Sequence, residues 1–384
     1  MEKVDIIVGI PTYNNSKTVS FVVKQIDEGL RKYFPQYAAL IVDSDGKSED
    51  GTREAFEATE TKTEKLFVHY KNPISGKGSA LKEIFELAME KTSKVTAVFD
   101  SDLRSITPEW VGLMIKPILA GADFTVPNYF RYKYDGTITN NICFPLMYGV
   151  LCRDIRQPIG GDFAFNRALA EFWLGRTSWE NDIARFGIDI FMTSNAVLGD
   201  FRVKQVFLGE KIHDSRDPTD LKPMFRQVVK TFFGIITSRK GEWSKLKEVR
   251  EVEIVGSRRD VEPAAFEVDV GRMREDFLKG KREMAERWRE ILDAERFSLI
   301  KDMEEPEVDA ELWCDIVFDF IAHSAGGGDW VDALIPLWSA RNYSFVKETE
   351  SMSSLEAEQQ ILEQARILFG NRERLIEKLE PVMR

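Results

Sequence analysis

Apolar and polar positions along the first half of the chain switch repeatedly between a short β-rich run and a helical stripe. Residues 5–10 read as a strand, and Pro11, Thr12, Tyr13, Asn14 and Asn15 as the turn after it. Val19, Val22, Val23, Ile26 and Leu30 then recur at helical spacing through residues 16–33. A second strand is expected at 38–42, a turn at Asp43, Ser44, Asp45 and Gly46, and a helix from about Gly51. A third strand is expected at 66–70, and Ser75 to Ser79 opens a helix carrying Leu81, Ile84, Phe85 and Ala88. Residues 95–99 form a buried fourth strand that ends in Asp100, Ser101 and Asp102. Further strands are expected at 124–127 and 203–207, and a helix near Gly187. Strands alternating with helices in this way predict a mostly parallel sheet.

A charged, β-mixed stretch at 245–269 marks a change, and beyond it the pattern is helical. Met273, Phe277, Met284, Trp288 and Ile291 make one stripe. A helix is expected around 312–322, a turn at Gly326, Gly327 and Gly328, and a long helix from about 354 to 379. Two domains are therefore expected, an α/β domain over 1–244 and an all-α domain over 245–384. A chain of 384 residues is also longer than one hydrophobic core usually supports. Amphipathic helices need a partner surface, on this chain or on a second copy in a homo-oligomer.

The net charge of −11 argues against an indiscriminate nucleic-acid binder, which needs a basic surface. A phosphorylated substrate would need a local basic pocket or a metal ion to offset the carboxylates around it. Cys143, Cys152 and Cys314 form no CxxC pair, which fits a reducing compartment. The first residues show no charged-then-apolar leader, and the longest apolar run, 143–152, is about half the length of a spanning helix. A cytoplasmic protein is expected.

Functional side chains of an open α/β sheet collect at the carboxyl ends of its strands. Four clusters fall there: residues 11–15, 43–46, 76–78 and 100–102. Asp100 and Asp102 offer hard oxygen ligands to Mg²⁺ or Mn²⁺, although Asp43 and Asp45 repeat the pattern and a turn or helix cap explains either pair. Lys77 stands between Gly76 and Gly78 at a helix start, where backbone amides and the ammonium both favour phosphate. The spacing is not that of a Walker A loop. His213, one of three histidines, follows a strand and is a competent Mn²⁺ ligand beside carboxylates. Gly160, Gly161 and Asp162 suit a loop whose backbone passes close to a ligand, and Asp189 falls near a helix start where capping alone explains it.

Taken in order, these blocks over residues 3–235 resemble the retaining GT-A glycosyltransferases of the mannosylglycerate synthase and glucosyl-3-phosphoglycerate synthase type. The resemblance implies a GT-A fold and a hexosyltransferase that moves mannose or glucose from a GDP- or UDP-sugar to a small hydroxy acid, with a divalent metal. By that resemblance Pro11, Thr12, Tyr13, Asn14, Asn15 and Ser44 line the nucleoside. Lys77, Asp100 and Ser101 meet the sugar nucleotide, and Asp102 and His213 hold the metal. Asp189, Lys77 and Asp100 act at the reacting centre, and no nucleophile is named. Arg131, Gly136, Thr137, Thr139 and Asp162 fall at the acceptor. Two positions depart from the phosphoglycerate-using relatives. Thr137 stands where they carry arginine, and Ser215 where they carry asparagine, so D-glycerate is the expected acceptor and 3-phosphoglycerate, or a lipid or glycan, the alternative.

Overall fold

The computed structural model describes residues 3–212, 221–257 and 262–380. The chain begins β1 (Ile6–Thr12), α1 (Val19–Tyr33), β2 (Ala39–Asp45), α2 (Thr52–Ala58) and β3 (Glu64–His69). It continues α3 (Lys77–Glu90), β4 (Val95–Val98), α4 (Pro108–Leu119) and β5 (Phe124–Phe130). A π-helical turn (Thr139–Cys143) runs into α5 (Phe144–Gly149), followed by β6 (Arg153–Asp154), β7 (Phe163–Asn166), α6 (Arg167–Leu174), α7 (Ile188–Leu198) and β8 (Val203–Glu210). Next come α8 (Lys222–Ser238), α9 (Lys240–Trp243), β9 (Arg250–Glu251) and β10 (Ile254–Val255). The rest is helical: α10 (Val270–Glu283), α11 (Ala285–Ile291), α12 (Ala294–Asp302), α13 (Ala310–Ser324), α14 (Val331–Thr349), α15 (Ser354–Gly370) and α16 (Arg372–Leu379).

Two compact units result, and each is built from more than one stretch of chain. The first comprises residues 1–130, 156–215 and 252–260, the second 131–155, 216–251 and 261–384. The units therefore interleave in sequence, whereas the residue pattern suggested a single cut near 245. Residues 131–155 and 216–244, placed by that pattern with the α/β domain, belong to the helical unit.

The first unit is a mostly parallel sheet in the order β10-β8-β5-β7-β4-β1-β2-β3. Strands β1, β2 and β4 are buried and largely apolar because helices cover both faces, as expected for a parallel sheet; the carboxyl end of β2 departs from this with buried Asp43, Ser44 and Asp45. On one face Val19, Val22, Val23 and Ile26 of α1 and Val111 and Met114 of α4 pack on Ile6, Val8 and Ile10. On the other, Phe85 of α3 meets Phe165 and Trp173 edge-on and stacked. Strand β7 alone runs antiparallel to its neighbours, pairing Val98 with Phe163 and Thr125 with Ala164. That reversal carries the loop before β7 onto the carboxyl end of β4.

Strand β2 is longer than the sequence pattern suggested. Asp43 and Asp45 are not turn residues: the strand continues through both, in register with Ile10 and Thr12 of β1 and with Phe67 and His69 of β3. Backbone pairing on two sides outweighs the turn preference of these residue types, which is a local bias only.

In the second unit the stripe from Met273 to Ile291 divides into α10 and α11, with the chain breaking helical geometry at Met284. The terminal helix likewise breaks at Asn371. Helix α14 was not anticipated, because it is buried nearly all round and shows no polar face. Arg341 at its centre is fully buried and is satisfied by Gln364, Glu348 and the carbonyl of Val308. Trp313 donates to the carbonyl of Asn141, and Asn141 to Asn342, tying residues 131–155 into this unit.

Candidate active site

The first unit gathers charge at the carboxyl edge of its sheet. Asp100 follows β4, Lys77 begins α3, Asp189 lies in the first turn of α7, Asp162 precedes β7 and Lys211 follows β8. The Lys77 ammonium is 2.8 Å from Asp100 Oδ1, 3.2 Å from Asp189 Oδ2 and 3.3 Å from the Gly161 carbonyl. Lys211 is 2.9 Å from Asp100 Oδ2, 2.9 Å from Asp162 Oδ2 and 2.8 Å from the Gly160 carbonyl. Asp162 also accepts from the Tyr129 hydroxyl and, at 2.8 Å, from the Asp100 amide.

Burial by itself would raise the Asp100 carboxyl, but Lys211 and Lys77 outweigh it and hold the group far below the usual carboxylate range. Burial likewise opposes charge on Lys77, yet Asp100 and Asp189 push its ammonium well above the ordinary lysine value. Asp189 is different. Burial raises its carboxyl despite the nearby Lys77, and its Oδ1 is buried with no hydrogen-bond partner among the described residues. An ionised pair is thus fixed at the sheet edge, with one carboxylate oxygen left unpaired beside it.

Residues 11–15 are locked beside this cluster. The Asn15 side chain accepts from the Tyr13 amide at 2.9 Å and from the Ser101 hydroxyl at 2.8 Å. Asn14, at a positive φ of 56°, donates its amide to Ser48. Tyr13 projects into solvent and Thr12 is buried against Asp43 and Asp45. Pro11 pairs in register with Ser44, whose hydroxyl is buried and donates to the Ala80 carbonyl.

Several expected roles change in this setting. The amides of Gly78 and Ser79 at the start of α3 donate to the carbonyls of Arg185 and Ala184, so they do not form an open phosphate cradle. Gly78 is required by that approach: a Cβ there would lie 1.9 Å from the Ile183 carbonyl oxygen. Asp189 does not cap α7, since Gly187 holds the N-cap position with no side-chain cap. Asp162, expected at the acceptor, has no accessible surface and braces Asp100 and Lys211 instead. Gly161, at φ +92°, lets the chain pass Asp100, and a Cβ there would sit 2.1 Å from Asp100 Oδ2.

Asp102 lies in the turn after Asp100 and is half-buried. His213 and Ser215 lie outside the described residues. Among the described residues, the Ile212 carbonyl accepts from the Arg104 amide at 2.8 Å, and its amide donates to Ser105 at 2.9 Å. The backbone one residue before His213 is therefore tied to the segment that follows Asp102.

The remaining acceptor candidates belong to the second unit. Arg131 is 3.4 Å from Asp135, and Gly136 turns beside it at φ +72°. Thr137 and Thr139 are buried, and the Thr137 hydroxyl has no partner among the described residues. Lys133, a neighbouring cation, is committed elsewhere: its ammonium donates to the carbonyls of Thr349, Glu350 and Met352 at the end of α14. Lys211 and Tyr129 were missed by sequence reasoning. A single lysine among 53 basic residues carries no pattern, and only its place two residues before His213 hinted at it.

A mostly parallel sheet with charged side chains gathered at its carboxyl edge has the layout of a GT-A type domain. Residues 7–171 match the family model of glycosyl transferase family 2. The chain is 25% identical over 240 residues to glucosyl-3-phosphoglycerate synthase of Mycolicibacterium smegmatis, covering 58% of this chain and 74% of that one. Among solved structures, it resembles glucosyl-3-phosphoglycerate synthase of Mycobacterium tuberculosis in complex with Mn²⁺, UDP and phosphoglyceric acid. That match has a TM-score of 0.48 and 24% identity, and it covers 60% of this chain and 78% of the other. The same enzyme with Mg²⁺ and UDP aligns with a TM-score of 0.46 and 23% identity, over 60% and 79% of the two chains. No helix among the described residues is long and apolar enough to cross a membrane.

Proposed function

We propose that the protein transfers a hexose from a nucleotide sugar to D-glycerate or a closely related small hydroxy acid. The observation that carries this reading is the Lys77–Asp100–Asp189 cluster at the carboxyl edge of a family 2 sheet. It places a mostly enclosed cation where a departing diphosphate gains charge.

Asp102 and His213 are the residues that would hold a divalent cation. Asp100 is a poor ligand in this geometry, because each of its oxygens already faces an ammonium. A carboxylate and an imidazole suit Mn²⁺ or Mg²⁺, and Ile212, the residue before His213, is hydrogen-bonded to Arg104, two residues after Asp102. When bound, the metal supplies positive charge to the diphosphate.

Lys77 adds a second positive charge there, and residues 11–15 and Ser101 hold the nucleoside side of the donor. Arg131 takes the acceptor carboxylate and Thr139 adds a hydrogen bond. The anomeric carbon–oxygen bond to the diphosphate breaks, the acceptor hydroxyl oxygen bonds to that carbon, and its proton passes to the leaving diphosphate. Asp189, with a raised carboxyl and one unpaired oxygen, is next to this path and orients the sugar.

The acceptor has two readings. The relative from Mycolicibacterium smegmatis favours 3-phosphoglycerate. Thr137 in place of an arginine, and a Lys133 ammonium consumed by three carbonyls, favour unphosphorylated glycerate. Steady-state kinetics with UDP- and GDP-hexoses against both acceptors, with product masses, decides between them. A higher kcat/KM for 3-phosphoglycerate overturns the preference for glycerate, and no glycoside with any pair overturns the reading itself.

A further inference from the structure

Asp100 receives a lysine on each oxygen, and the two lysines are not equivalent. The Lys211 side chain is 5% exposed, against 12% for Lys77. An ammonium has three protons, and Lys211 directs them at three acceptors between 2.8 and 2.9 Å. Its nitrogen also lies 5.2 Å from the centre of the Tyr129 ring. Two of its acceptors are themselves anchored: Asp162 by Tyr129 and the Asp100 amide, and residues 160–161 by a turn too tight at Gly161 for any side chain. Lys77 has one short contact, to Asp100, and two longer ones at 3.2 and 3.3 Å. Its neighbour Asp189 keeps an unpaired oxygen.

We infer that Lys211 is the fixed positioning residue of this site, holding Asp100, Asp162 and the 160–161 backbone in one arrangement while Lys77 turns to the donor's diphosphate. The inference rests on the reading of the site as that of a nucleotide-sugar transferase. If Lys77 were the only counter-charge of Asp100, its departure would leave a largely enclosed carboxylate unpaired, which is unfavourable. With Lys211 on the far oxygen, Asp100 stays charged and oriented throughout. Lys211 therefore acts through Asp100 and the loop, and it does not touch the donor. Lys77 does.

The two roles separate by binding against turnover. In the full-length protein, Lys211→Met should change UDP affinity, measured calorimetrically with MnCl₂ present, by less than about threefold, and Lys77→Met should weaken it at least about tenfold. Lys211→Met should lower kcat at least about thirtyfold with the donor KM nearly unchanged, because misplacing a reacting geometry costs turnover more than binding. Should Lys211→Met fail to fold, Lys211→Met combined with Asp162→Asn removes one charge of each sign, and its kcat should still fall at least about tenfold. Weakening of UDP by Lys211→Met equal to that by Lys77→Met would make Lys211 a phosphate ligand and overturn the inference. So would a kcat within threefold of wild type in either variant. If the wild type transfers no sugar, the functional reading has failed separately, and the UDP comparison alone decides the role of Lys211.

Discussion

Asp43 offers a test of how the sheet edge beneath residues 11–15 is held together. The residue has no accessible surface at the carboxyl end of β2. Its Oδ1 accepts from the Thr12 hydroxyl, which also lies 3.1 Å from Asp45 Oδ1, and one hydroxyl proton cannot serve both carboxylates. Its Oδ2 has no hydrogen-bond partner among the described residues. Burial raises the Asp43 carboxyl from 3.8 to about 7, against the lowering effect of Thr12 and with help from the Asp45 charge. Between these two values the folded chain keeps the proton that the unfolded chain has released. Unfolding then releases a proton, so stability falls as pH rises from about 4 to about 7 and is level above that. Each unit is worth about 1.4 kcal/mol, so between pH 5 and pH 8 the wild type should lose about 3 kcal/mol from this group. Asp43→Asn keeps an acceptor for Thr12 and cannot ionise. Urea unfolding of both proteins at pH 5, 6, 7 and 8 measures the difference directly. Asp43→Asn should gain on the wild type by about 3 kcal/mol across that range, and stability curves that stay parallel would refute the assignment of a proton to Asp43.

Three further outcomes are expected. Asp102→Ala should abolish transfer while leaving the urea midpoint within experimental error, because a half-buried loop carboxylate contributes little to the core; an active variant would remove it from the metal site. Thr137→Arg should move the ratio of kcat/KM values toward 3-phosphoglycerate by more than about tenfold, since one charge-assisted hydrogen bond is worth roughly 1.5–3 kcal/mol, and an unchanged ratio would count against the acceptor assignment. Truncation after residue 244 should give aggregated protein by size exclusion. Trp243 is fully buried and loses the Arg372 guanidinium that stacks 5.2 Å away, and a soluble, active fragment would show the helical unit to be dispensable.

The residue pattern by itself determined the alternating α/β layout, since buried parallel strands must be short apolar runs and their covering helices must carry one apolar stripe. It also put Tyr13, Asn14, Asn15, Lys77, Asp100 and Asp102 at or just past strand and helix ends, where backbone leaves the sheet, although β1 runs on through Pro11 and Thr12. Three matters lay beyond it. Nothing local marks residues 163–166 as a strand that enters antiparallel and delivers Asp162 to Asp100. The glycine before Ser79 looked like a phosphate turn, and only the crossing of residues 183–185 shows that it makes room for backbone. Lys211 has no pattern at all, since its role depends on two carboxylates 49 and 111 residues away in sequence. Periodicity records which face of an element is buried. The partner buried against that face is chosen by long-range packing, and there charge, burial and unpaired oxygens acquire their meaning.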